Sequence, residues 1–226
     1  MSAIETLEQE HRLISRVVKL LPAVSSDVEA GAVDLRVLSD LADFFSAFTD
    51  GCHHAKEEDL LFPMLQQRGV SSKGCPVGTL RLEHQQGRNV VKALNSAVEK
   101  YKSGDVKAAK RISSILRDAA ELYTDHIWRE DYLLFPMSEK VLLEGDKVTL
   151  VRDFGKVQAK FDHVFQERYE ALVAKLEKEL TRTTEPPVGA EGQSPPPHVE
   201  EHECGGKAMS ADYQRCEERL RQTQAV

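Results

Sequence analysis

Nowhere does the chain carry an apolar run near the eighteen or so residues that cross a bilayer. Its first residues, Met1-Ser2-Ala3-Ile4-Glu5, lack the charged and apolar regions of a secretory signal. No membrane association is therefore expected. Aromatic residues are scarce, at 6% against 30% charged, the balance of a soluble helical protein. There is no dense basic stripe, and a net charge of -7 with a pI near 5.7 argues against nucleic acid as a partner. The four cysteines, Cys52, Cys75, Cys204 and Cys216, show no C-x-x-C spacing. That reads as reduced thiols in a cytoplasmic protein rather than a disulfide framework. The 226 residues suffice for one good core and a tail.

What is present is present twice. His53-His54-Ala55-Lys56-Glu57-Glu58-Asp59-Leu60-Leu61-Phe62-Pro63-Met64 returns as His126-Ile127-Trp128-Arg129-Glu130-Asp131-Tyr132-Leu133-Leu134-Phe135-Pro136-Met137, both fitting H-x3-E-E/D-x2-L-F-P-M. The offset is 73 residues, and it also carries Glu10-His11 onto Glu83-His84, Leu7 onto Leu80, Val17-Val18-Lys19 onto Val90-Val91-Lys92, and Leu21 onto Leu94. A period of this kind is the first thing to settle in a sequence. Each half supplies a lone histidine, then a histidine followed by a glutamate one helical turn later.

Helical periodicity surrounds these motifs. Leu7, Ile14, Val17, Val18 and Leu21 mark a first helix from Glu5 to about residue 30, with Pro22 as a kink and Gly31 as its stop. Asp34 is the N-cap of a second helix running toward Arg68, loosened near Pro63. After the loop at 69–76, a third helix spans about 77–102 and a fourth, capped by Asp105, about 106–143, with Pro136 late in it. A fifth is expected over about 147–180. Thr181 to Pro197 has the composition of a disordered linker, and Ala211 to Thr223 that of a short charged helix. The expected organisation is a helical domain over 1–180 and a flexible acidic, proline-rich tail over 181–226. In that tail His198, His202 and Cys204 have the spacing of a weak metal grip, but an acidic tail is the favoured reading.

Short turns between four helices imply an all-α, antiparallel up-down-up-down four-helix bundle with the fifth helix added. The histidines then meet. His11 and His53 each lie roughly 28 Å from the turn joining their helices, and His84 and His126 roughly 27 and 31 Å from theirs, at 1.5 Å per residue. Residues four apart share a face, so His53 looks the same way as Glu57, and His126 the same way as Glu130. Four imidazoles and two carboxylates converge, which is a two-metal site with both glutamates placed as bridges. Such ligands suit Fe, Mn, Zn or Co, and paired carboxylates in a bundle favour iron or manganese. His54, rotated by about 100° from His53, is expected in an outer or surface contact. Tyr123 is expected in bundle packing, Cys52 in the core, and His163 on a helix surface rather than on a metal.

These motifs, over about residues 4–143, resemble the hemerythrin-like, or HHE cation-binding, family. The resemblance implies a bundle holding two non-heme Fe ions with an oxo or hydroxo bridge. His11 and His53 would ligate one iron and His84 and His126 the other, with Glu57 and Glu130 bridging. It further implies a small diatomic ligand such as O2, bound or sensed, or a part in iron and redox homeostasis. The alternative is a di-iron redox enzyme acting on peroxide or nitric oxide, and a third reading keeps the site for structure alone. The sequence departs from the family's oxygen carriers twice: Arg88 stands where they place a fifth histidine, and their last carboxylate aligns with Asp131 rather than Glu130. Glu130 is preferred because it repeats Glu57, with Asp131 as the reserve ligand.

Overall fold

The structure is a computed structural model that describes residues 1–183. These lie in one compact unit, Met1–Thr184. The expected linker, the tail helix and the His198, His202 and Cys204 cluster fall outside the described residues.

Among the described residues every regular element is a helix. Helix α1, Ala3–Glu29, starts with a capping box: the Ser2 hydroxyl accepts the Glu5 N–H at 3.1 Å, and the Glu5 carboxylate accepts the Ser2 N–H at 2.7 Å. It carries Pro22 inside and stops before Gly31, whose φ of 70° is open to glycine at little cost. Helix α2 occupies residues 35–67 and begins where Asp34 accepts the Arg36 N–H at 2.8 Å. Helix α3 is Val77–Lys102, and α4 covers residues 107–141 after Asp105 accepts the Lys107 N–H. Helices α5, Glu144–Gln158, and α6, Phe165–Thr183, replace the single fifth helix read from the sequence. The break leaves His163 exposed, and Asp162 accepts the Val164 N–H at 3.1 Å to open α6.

Helices α2 and α4 are not regular throughout. Phe44–His54, Glu57–Leu61 and Glu130–Leu134 are wide π-type turns. Two of these turns end immediately before Phe62-Pro63 and Phe135-Pro136. A proline ring clashes with the carbonyl four residues back in a regular helix, and the wider turn lets both helices continue.

Helix α4 packs on α1 and α3, α2 packs on α3, and α6 lies against α1. The main core fills one length of the bundle with Ile14, Val17, Leu21, Leu38, Leu41, Leu94, Ile112 and Leu116. From α6, Tyr169 sets its ring against Phe44 and Phe48 and donates to Asp43 at 2.7 Å. Outside that core, Leu7, Leu61, Phe62, Leu80, Leu134 and Phe135 are also buried. The polar residues of the repeat occupy the level between the two apolar groups. Cys52 is a free buried thiol, as expected, but Cys75 is disulfide-bonded, against the expectation of four reduced thiols.

Candidate metal centre

The wide turns hold His53, Glu57 and Glu130, and regular helix holds His11, His84 and His126. His53 and Glu57 come from α2, His126 and Glu130 from α4, His11 from α1 and His84 from α3, and all six are buried. Glu57 Oε2 stands 3.6 Å from His53 Nε2 and 3.5 Å from His84 Nε2. Glu130 Oε2 stands 3.0 Å from His11 Nε2 and 3.2 Å from His126 Nε2. Each glutamate therefore spans one histidine from each half of the repeat. His11 Nε2 and His53 Nε2 face one another at 3.1 Å.

Every one of these imidazoles turns its Nδ1 outward to a carboxylate. His53 donates to Glu10 at 3.0 Å and His126 to Glu83 at 3.1 Å. His84 donates to Glu58 at 2.7 Å and His11 to Asp131 at 2.6 Å. The pattern is the repeat again, because 10 and 83, and 58 and 131, are 73 apart. The glutamate before one half's lone histidine holds that half's second histidine. The acid after the inward glutamate holds the lone histidine of the other half. A third pair 73 apart is cationic: Lys56 ion-pairs with Glu10, and Arg129 with Glu83. Phe62 stacks on His84 with ring centroids 5.7 Å apart, and Phe135 stacks on His11 at 5.2 Å. Reading the sequence for ligands passed over these outer partners, although the same offset marks them.

The electrostatics follow from burial. Glu57 is wholly buried and faces the Glu130 charge, so its carboxyl is pushed well above the usual range. Burial also opposes the charge on Glu130, but His126, His11 and His84 outweigh it and hold that carboxyl well below. Burial disfavours the charged imidazole of His11, yet Asp131 and Glu130 raise it to about 9. His53, buried beside other imidazoles, is pushed well below its usual value.

Buried polar atoms are almost always paired, and here a group of them is not. Both oxygens of Glu57, Oε1 of Glu130, and Nε2 of His54, His84 and His126 are buried without a hydrogen-bond partner. Ligand atoms of His11, His53, Glu57 and Glu130 all lie within 4.8 Å of one another, as do those of His54, Glu57, His84 and His126. Inward lone pairs on imidazole and carboxylate, with outward donors already satisfied, are the donor set of a divalent cation. The residues fit the metal pair that the motif implies.

The remaining expectations divide. His54 is not at the surface but buried, and it joins the second group. Asp131, 35% exposed, turns to the outer nitrogen of His11. Arg88 bonds Asp50 and Glu58 rather than entering the centre. Tyr123 packs as expected, its ring stacked on Phe45 at 4.7 Å. His11 and Asp131 also line a surface groove of about 590 Å³ with Arg12, Arg16 and Tyr132.

Residues 2–138 match the hemerythrin HHE cation binding domain. Among curated relatives, uncharacterized proteins of Mycobacterium bovis and of two Mycobacterium tuberculosis strains are each 25% identical to the chain over 146 residues. The alignment covers 63% of this chain and 55% of each relative, so the chain spans about half the length of the curated relatives it matches. No solved structure matches the chain.

Proposed function

Because the chain belongs to the hemerythrin HHE cation-binding family, we propose that it holds two iron ions and uses them to bind or sense O2 or another diatomic, or in iron and redox homeostasis. His11 and His53 hold one ion, His84 and His126 the other, and Glu57 and Glu130 lie between them. The observation that supports this most is the set of inward-facing, unpartnered atoms on Glu57, Glu130, His84 and His126. Leaving such groups bare costs about 1–3 kcal/mol each, and a cation answers all of them at once.

Iron bound there would supply a redox-active pair. The residues do the rest. Glu10, Glu83, Glu58 and Asp131 fix the tautomer of each histidine so that Nε2 presents its lone pair inward. Phe62 and Phe135 stack over two of the rings and exclude water from that side. The groove beside His11 and Asp131 brings solvent next to the outer side of the centre.

The test is an optical spectrum of anaerobically purified, iron-loaded protein as air is admitted and then removed. A visible band that appears with air and vanishes on deoxygenation supports binding or sensing. Iron that oxidises once without return, with sustained turnover of peroxide or nitric oxide, overturns that reading in favour of an enzyme.

A further inference from the structure

The hairpin of α3 and α4 collects positive charge in an otherwise acidic protein. Residues 92–117 hold seven basic side chains and two acidic ones, a net of +5 within a chain of -7. They form no continuous basic run in the sequence, and the turn at residues 103–106 brings their two halves back together. Both acids are already engaged. Glu99 ion-pairs with Lys102 at 2.9 Å, and Asp105 accepts the Lys107 backbone N–H at 2.9 Å. Arg117 pairs with Glu29. Lys100, Lys107 and Arg111 form no salt bridge among the described residues.

These three cations line one cavity. It has a volume of about 320 Å³ and lies between α3 and α4, with Ser96, Asp105 and three alanines completing its wall. Arg111 and Ala93 also border a second cavity, of about 270 Å³, that continues along the same helices past Asn89 and Asp118. Like charges gathered without acids repel one another, and an anion relieves that repulsion. A concave site of this size suits a small ligand rather than a flat surface. A phosphate group carries about -1.5 to -2 near neutral pH, so two linked phosphates match three cations where one does not. Arginine offers such a group its planar fork, and the lysines add point charges.

We propose that this end of the bundle is a binding site for a diphosphate group, held by Lys100, Lys107 and Arg111, with any nucleoside attached to it lying past Arg111 toward Asn89 and Asp118. Lys107 stands nineteen residues before His126 on α4, roughly 28 Å at 1.5 Å per residue. The site is therefore separate from the candidate metal centre and does not depend on the two-metal reading.

The test is calorimetric titration of the full chain, dialysed free of loose divalent ions, with inorganic pyrophosphate, ADP and sulfate at one low ionic strength. Wild type should bind one pyrophosphate per chain, more tightly than sulfate, with an affinity that falls as salt is added. Lys107→Gln and Arg111→Gln should each weaken binding roughly tenfold. Ala93→Leu, which narrows the cavity without changing charge, should weaken it too. Lys140→Gln, which removes an exposed charge from α4 outside the cavity, should leave it unchanged. ADP binding tighter than pyrophosphate assigns the diphosphate to a nucleoside, and equal affinity assigns it to the free anion. No binding of either ligand, pyrophosphate no tighter than sulfate, or an affinity that Arg111→Gln leaves unaltered overturns the proposal. Binding to phosphatidylserine vesicles with none to pyrophosphate overturns it in favour of a membrane-docking surface.

Discussion

The outward nitrogen of each repeated histidine meets a carboxylate, and Lys56 and Arg129 back two of those carboxylates from behind. The two backings differ in cost. Lys56 is 1% exposed and pairs with a buried Glu10, whereas Arg129 is 20% exposed. Removing one partner of a fully buried pair strands a charge at about 3–5 kcal/mol, and a part-buried pair with solvent at its cation, such as Arg129 and Glu83, costs less. Lys56→Met should therefore lower unfolding free energy in urea by several times the loss in Arg129→Met; equal losses would contradict the buried-pair account. His11 sets the pH response. In the metal-free protein its imidazole is raised to about 9 by Asp131 and Glu130 against the effect of burial. At pH 7 an incoming ion must displace that proton, so metal binding should release a proton and its apparent affinity should rise with pH until about 9. Affinity that falls or stays flat between pH 6 and 8 would contradict this sign. The six inward residues were legible because they repeat. His54 was not, because a regular helix turns by about 100° per residue and would point it away from His53. It sits in a π-type turn instead, where hydrogen bonds reach one residue further and each residue turns less.

At the scale of elements, the approach of α3 to α4 depends on one missing side chain. A Cβ on Gly87 would stand 2.8 Å from the Tyr123 hydroxyl oxygen. Tyr123 is itself pinned against Phe45. Gly87→Ala should therefore destabilise the protein by about 1–3 kcal/mol, as overpacking does. The same change in a Tyr123→Phe background should cost less, because the clashing oxygen is gone, and a double-mutant cycle by urea unfolding measures the difference. Purely additive effects would show that the contact does not matter. The helix count and most caps could be read from periodicity, Asp34 and Gly31 among them. The division of the fifth helix could not, because the apolar stripe runs through residues 159–164 and only Asp162, capping α6, marks the break. The wide turns in α2 and α4 were equally hidden. Pro63 and Pro136 signalled a disturbance late in each helix, but the strain is taken up in the turn before the proline.

At the scale of the whole molecule, the bundle encloses a polar layer between two apolar groups, and that layer is incomplete without a cation. Metal bound only by the folded state should stabilise it, by about 2.7 kcal/mol at a free concentration one hundred times Kd. A melting temperature that does not rise as metal is added would contradict this. The helical domain was expected to end near residue 180, and a chain stopped after residue 183 should keep the metal stoichiometry of the full chain. Loss of metal in the shortened chain would place part of the centre in residues 184–226. The central claim is that one two-ion centre is built from both halves of the repeat. It is tested most directly by iron content per chain, measured after anaerobic loading and removal of excess metal, in wild type, His53→Ala and His126→Ala. The account predicts two irons in wild type and a sharp loss in each variant. Two irons retained in both variants would contradict it.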